Sequence, residues 1–197
     1  MKNLSIIVLF FMISISFLRA SWDSPSFLTN QNATSLKLQQ TIGDMGVIAL
    51  NLFALGLVIQ KEDKEGFFEY LYGGATTTAV VLGGKYLIKR ERPDGSNNYS
   101  MPSGHSAFSF FAASFITNRY GNKYAASTYL TSAFIAYSRV ATKKHNVSDV
   151  LVGSALGFAI GQIFTTEYKI NIDNNRYSMS ISPNITKDSF YIKFNFS

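Results

Sequence analysis

The sequence predicts an all-α fold: a bundle of about five core helices, with a β-hairpin or three-stranded antiparallel appendage at the C-terminal end. Three observations predict it. Long apolar stretches recur from residue 36 to residue 166, each closed by glycine, proline or a run of charge. After Glu167 the apolar period changes from helical to two. Charged residues make up 15% of the 197-residue chain, against about 25% in a typical soluble domain, while hydrophobic residues stand at an ordinary 47%.

The elements follow in order. Lys2 precedes an apolar run from Leu4 to Leu18 that ends near Arg19, Ala20 and Ser21, so residues 1–20 read as an export signal, with an uncleaved anchor as the alternative. Its removal deletes two cations and no acid, taking the formal charge from +6 to +4. Residues 21–35 are rich in Ser, Asn, Thr and Gln and read as a linker. The helical domain spans 36–167. Helix one runs from about Leu36 to Gln60, where Lys61-Glu62-Asp63-Lys64-Glu65 stops it. Helix two runs from about Gly66 to Arg90 and is closed by Pro93. Helix three starts at Ser103 and ends near Tyr120, with Gly121 as its C-terminal cap. Helices four and five cover about Tyr124 to Val140 and about Asn146 to Thr166. Gly153, Gly157 and Gly161, four apart, suit close packing of helix five, and a membrane dimer seam is the secondary reading. In the tail, 168–197, Ile170 and Ile172, then Tyr177, Met179 and Ile181, then Ile192, Phe194 and Phe196 alternate with polar residues, as in an antiparallel sheet packed on the helices or on another chain.

Composition excludes several chemistries. The chain has no cysteine, which excludes zinc-finger, iron–sulfur and thiol sites, and its two histidines are too few for a metal site built on several of them. The positive balance favours an anionic partner. Nothing in the pattern points to nucleic acid, and no cofactor is called for.

Three motifs carry the chemistry. The first is Lys85, six residues, then Arg92-Pro93. The second is Pro102-Ser103-Gly104-His105. The third is Ser138-Arg139, five residues, His145, three residues, Asp149. In an up-down bundle the end of helix two, the start of helix three, the end of helix four and the start of helix five lie together. Lys85, Arg92 and Arg139 then supply cations to one place, and arginine's fork fits phosphate oxygens. Ser103 caps helix three, Gly104 lets a ligand approach the backbone, and free amides at the helix start bind anions. His145 and Asp149, four apart, share a helix face, so the carboxylate can orient the ring as a nucleophile. His105, at the other rim, can protonate a leaving oxygen. Taken singly, each motif is an ordinary capped start, charged helix end or surface pair; the joint pattern is not. Lys89, Arg90, Lys143 and Lys144 read as a solvated face or as steering charges for anions. Tyr99 and Met101 are candidates for the substrate entrance.

At these residues the chain resembles the type 2 phosphatidic acid phosphatase (PAP2) superfamily, which includes bacterial acid phosphatases, lipid phosphatases and vanadium haloperoxidases. All three of its motifs are matched between Lys85 and Asp149. The resemblance implies that His145 attacks phosphorus and becomes a phosphohistidine, supported by Asp149, with His105 as the acid. It implies that Lys85, Arg92, Ser103, Gly104 and Arg139 hold the phosphoryl oxygens, with no metal ion. The expected function is metal-independent hydrolysis of a lipid phosphate or diphosphate, or of a small phosphate ester, outside the inner membrane. A vanadate-dependent haloperoxidase and a catalytically silent envelope protein are the alternatives, and the oligomeric state stays open.

Length arithmetic bears on the membrane. Only 32 residues separate His105 from Ser138. With about four for the turn, two helices of about fourteen residues remain, each about 21 Å long, against a hydrocarbon core of about 30 Å. Asp44, Asn51 and Glu69 interrupt the longer candidate spans. The sequence therefore favours an exported, periplasmic, non-spanning domain. Its low charge keeps an inner-membrane form with a periplasmic active site as the alternative.

Overall fold

The computed structural model describes residues 33–168, 180–186 and 189–195. The export signal read at 1–20 lies outside the described residues, as does most of the linker. Five helices follow: α1 (Ala33–Gln60), α2 (Lys64–Ile88), α3 (Gly104–Tyr120), α4 (Ala125–Ala141) and α5 (Val147–Phe164), with a 3-10 turn at Asn122–Tyr124. α1 begins three residues before the expected Leu36, which shortens the linker. α2 ends two residues before the expected Arg90. Lys89 turns left-handed (φ 50°) and donates its N–H to the Lys85 carbonyl, so Arg92 moves from a helix end into the loop that follows.

α3 is the axis of the bundle and packs against each of the other four helices, most extensively against α5. Its small residues make this geometry available. Ser106, Ala107, Ser109, Ala112, Ala113 and Ser114 are all buried. Opposite them, Gly153 and Gly157 bring α5 so close that a Cβ on either would press into the carbonyls of Ser103 and Ala107. The spacing-four glycines are thus a helix-packing device within one chain. Below them, Leu50, Ala54 and Leu57 of α1 meet Phe115, Ile116 and Tyr120 of α3 in the apolar core.

At the end where α1 turns into α2 and α3 turns into α4, a buried ion pair ties the bundle. Arg119 grips Asp63 with Nε at 2.8 Å and Nη2 at 2.6 Å. Tyr120 donates its hydroxyl to the same carboxylate, and Asp63 caps α2 through the Gly66 amide. Glu65 and Glu69 lie 3.0 and 3.4 Å from the guanidinium.

The expected stranded appendage is not established as part of this fold. Segments 170–172 and 177–179, read as strands, lie outside the described residues. Ser180–Thr186 (β1) and Ser189–Asn195 (β2) pair antiparallel with each other. Among the described residues they make no contact with a helix, so the expected packing of the tail on the bundle is not supported.

The structure also corrects the argument against a membrane. α3 and α4 are indeed short, 17 residues each. But α1 over Thr34–Gln60 and α5 over Val147–Phe164 are long and apolar enough to cross a bilayer, and only 28% and 33% of their apolar windows are buried in the bundle. The polar residues taken as interruptions have partners within the bundle. Asp44 bonds Arg139, Asn51 accepts the Tyr70 hydroxyl, and Glu69 accepts from Thr166. Met45, Leu52, Ile59, Leu71, Leu87 and Leu151 are meanwhile exposed. A surface this apolar associates with a membrane rather than with bulk water.

Candidate active site

The three motifs meet at the bundle end opposite the Arg119–Asp63 pair. A cavity of about 350 Å3 opens there, and its walls include Arg92, His105, Arg139 and His145. Four of the eight residues proposed from sequence therefore face one space. The others stand behind it or beside it.

His145 sits in the turn before α5 and is buried. Its Nδ1 lies 2.7 Å from the Ser100 carbonyl oxygen. A carbonyl only accepts, so Nδ1 carries the proton, and Nε2 keeps its lone pair. Burial, then the charges of Arg92 and Lys85, lower its pKa to about 4, while the Ser100 carbonyl and Asp149 act the other way. The ring is neutral at ordinary pH. This corrects the expected dyad: Asp149 Oδ2 stands 4.0 Å from Nδ1, and the Ser100 carbonyl, not Asp149, fixes the tautomer.

Asp149 has a different task. Its carboxylate accepts from the Ser100 hydroxyl at 2.6 Å, from the Asn146 amide at 2.8 Å and from Arg90 at 2.9 Å. It thereby pins the loop residue whose carbonyl holds His145. Arg90, read as a solvated or steering charge, is bound to Asp149 and Ser148. Lys144 is bound to Asp94 at 2.7 Å.

The cation positions differ from one another. Arg92 is held from the side, with Nε on Asn97 Oδ1 at 2.9 Å and Nη1 on the Lys144 carbonyl at 3.3 Å. Lys85 does not line the cavity; its Nζ donates to the Tyr99 carbonyl at 2.6 Å. Burial, then the charge of Arg92, lowers the Lys85 pKa to about 8, with Asp149 opposing. Ser103 is fully buried: its hydroxyl accepts from Ser106 and its amide donates to the Asp149 carbonyl at 2.9 Å, so it does not face the cavity. Gly104 lies beside the cavity, in a neighbouring apolar groove. Tyr99 packs its ring on Tyr86 and does not line the cavity.

One residue at the centre was read from sequence only as a polar interruption. Asp44 of α1 lies 2.6 Å from Arg139 Nη1 and 2.8 Å from His105 Nε2. Gln40, one turn earlier, accepts from Arg139 Nη2 through its carbonyl at 2.8 Å. Both line the cavity. Their spacing of four on an amphipathic start was the available signal, but nothing in it named the partner. For His105, burial and the charges of Arg139 and Arg92 lower the pKa below its ordinary value, while Asp44 pushes it back up.

An α-helical bundle with two histidines and two arginines around one cavity, spaced as in the three motifs, defines a class, and the chain belongs to it: the PAP2 superfamily model matches residues 66–172, more than half of the sequence. Among its relatives is the lipid A 1-phosphatase of Porphyromonas gingivalis, 37% identical over 94 residues, which cover 46% of this chain and 21% of that protein. The chain thus spans about a fifth of that relative's length. The lipid A 4'-phosphatase of Helicobacter pylori is 29% identical over 141 residues, covering 66% of this chain and 71% of that protein. The crystal structure of a transmembrane PAP2-type phosphatidylglycerolphosphate phosphatase from Bacillus subtilis superposes with a TM-score of 0.56 at 19% identity, covering 83% of this chain and 94% of that one. This last likeness is one of fold.

Proposed function

We propose that this chain is a membrane-associated phosphatase that removes phosphate from a lipid phosphate or diphosphate, with its active site on the periplasmic side. The observation that carries the reading is a neutral, tautomerically fixed His145 whose free Nε2 borders a cavity walled by Arg92 and Arg139. The names of the two lipid A phosphatases support the lipid substrate, and the exposed apolar faces of α1 and α5 support the membrane association.

The chemistry follows from the residues. A phosphoryl group in the cavity meets the guanidinium groups of Arg92 and Arg139, which spread over its oxygens and stabilise the charge of the transition state. Lys85 adds positive potential from behind. Of the first-turn amides of α3, that of Ser106 meets the Ser103 hydroxyl and that of Ala107 the Ser103 carbonyl. Those of Gly104 and His105 remain for an oxygen of the substrate.

His145 Nε2 attacks phosphorus, a P–N bond forms and the bond from phosphorus to the leaving oxygen breaks. His105 gives its proton to that oxygen. Water then attacks the phosphohistidine and returns a proton to His105; the P–N bond breaks and inorganic phosphate leaves. Asp44 holds the His105 proton at Nε2 until a substrate oxygen takes its place. Its carboxylate also occupies Arg139 until phosphate competes for that guanidinium.

Phosphate release from a lipid phosphate in detergent, without added metal and with His145→Ala beside the wild type, tests the reading. Release by the wild type well above the variant is expected. Equal release from both would overturn it.

A further inference from the structure

Beside the polar cavity, and sharing His105 with it, lies a second depression of about 490 Å3 between α1 and α3. Val47, Ile48, Leu52 and Leu55 form its α1 wall and Phe108 part of its α3 wall. Asn51 also borders it, but its polar atoms are engaged: Nδ2 donates to the Val47 carbonyl at 2.7 Å, and Oδ1 accepts the Tyr70 hydroxyl at 2.5 Å. Apart from His105 at its mouth, the groove therefore offers apolar contact. It is also open, since Ile48 and Leu52 are 53% and 61% exposed.

The register of α1 joins the two spaces. Gln40 and Asp44 line the polar cavity, and Val47, Ile48, Leu52 and Leu55 line the groove. Steps of three and four keep these residues on one helical face. From Asp44 to Leu55 that face runs about 16 Å. α1 also lies wholly outside residues 66–172, the stretch that the superfamily model matches. The α1 wall of the groove thus comes from a part of the chain separate from the catalytic motifs, while Gly104, His105 and Phe108 supply the wall that α3 contributes.

We infer that the groove holds one hydrocarbon chain of the lipid phosphate, and that α1 is the element that selects the substrate by that chain. This rests on the phosphatase reading above. The occupant follows from continuity: a molecule with its phosphoryl group between Arg92 and Arg139 has its leaving oxygen at His105, and the groove begins at His105. A small soluble phosphate ester has nothing to place there. Because both groove and bilayer are apolar, the groove adds little transfer free energy; it orients the ester oxygen toward the acid. Selectivity, not bare affinity, is what the groove changes.

The test compares two substrates on the full chain in detergent micelles: a phosphatidic acid with two decanoyl chains, and 4-nitrophenyl phosphate. The readout is the ratio of their kcat/KM values, because a folding defect lowers both together. Filling the groove with Ile48→Trp and Leu52→Trp together is expected to lower the ratio at least tenfold. Leu52→Asn, which makes the groove polar without filling it, is expected to lower it about threefold. Ile163→Trp, on the exposed apolar exterior of α5 and outside the groove, is expected to leave it within twofold. An unchanged ratio in the groove variants would overturn the inference. So would an equal fall in Ile163→Trp, which would assign the effect to the apolar exterior, or a groove occupied by a second copy of the chain and blind to substrate. Loss of the difference between wild type and His145→Ala on both substrates would instead overturn the phosphatase reading.

Discussion

The two ends of the bundle use the same residue types to opposite effect. At one end Arg119 is 2% exposed and lies within reach of three carboxylates, Asp63, Glu65 and Glu69, with Tyr120 completing the Asp63 oxygens. At the other, the cavity wall carries Arg92, Arg139, Lys144 and two histidines against a single carboxylate, Asp44. In the first, acids outnumber the cation and every guanidinium nitrogen is already bonded. The second holds surplus positive charge around an open cavity of about 350 Å3. A buried arginine is thus a staple or a binding group according to how many acids surround it.

The largest expected effect breaks the site and spares the staple. If His145 is the nucleophile, as proposed, His145→Ala should lower kcat by about 10^4-fold or more, because the covalent route goes with it. Its melting temperature in detergent should stay within a few degrees of wild type. The reverse experiment is Arg119→Ala, which leaves Asp63 buried and unpaired. It should destabilise the fold by about 3–5 kcal/mol in thermal or denaturant melts. The protein that remains folded should keep its catalytic rate. If Arg119→Ala abolished turnover without lowering stability, the division of labour between the ends would be wrong.

A third variant probes the one acid of the cavity. Asp44→Asn should reduce kcat about tenfold near neutral pH and shift the pH profile. Asp44 raises the His105 pKa, so its loss lets that pKa fall. The leaving group needs protonated His105, so the alkaline limb should move to lower pH. A role for Asp44 in packing alone would leave the limb in place. The wild-type profile of kcat/KM is itself a check. It should fall on the acid side near pH 4, where His145 becomes protonated, and on the alkaline side below the ordinary histidine value of 6.5. The smallest effect is expected for Ser100→Ala. It deletes the 2.6 Å bond to Asp149 but keeps the carbonyl that holds His145, so kcat should drop only about two- to tenfold. A loss as large as that of His145→Ala would mean that the hydroxyl, not the carbonyl, positions the ring.

Legibility followed the range of each interaction. The helix starts and stops were readable because capping is local: Ser103 before α3 and Gly121 after it act within one turn. The end of α2 was not, because a left-handed Lys89 carries no sequence mark. The motif residues were readable because their types and spacing are chemical requirements. Ser103 and Lys85 were expected at the phosphate from motif position and family resemblance, and the folded chain shows their polar atoms engaged with Ser106, Asp149 and Tyr99. Asp44 and Ser100 went unassigned because each acts on a residue more than forty positions away. The membrane association was under-read for the same reason: Asp44, Asn51 and Glu69 count as polar in a linear window, whatever they bond.

By itself the sequence determined the helical class, the bundle end at which the motifs gather and the two histidines that meet there. Periodicity, capping and residue chemistry are properties of neighbours along the chain. The tertiary structure alone decided that a backbone carbonyl, not Asp149, orients His145; that α1 brings a carboxylate and an apolar groove to the site; and that the scarcity of charge reflects an exposed apolar exterior. Each of these depends on which atoms meet across the bundle, and chain-distant contacts leave no periodicity to read.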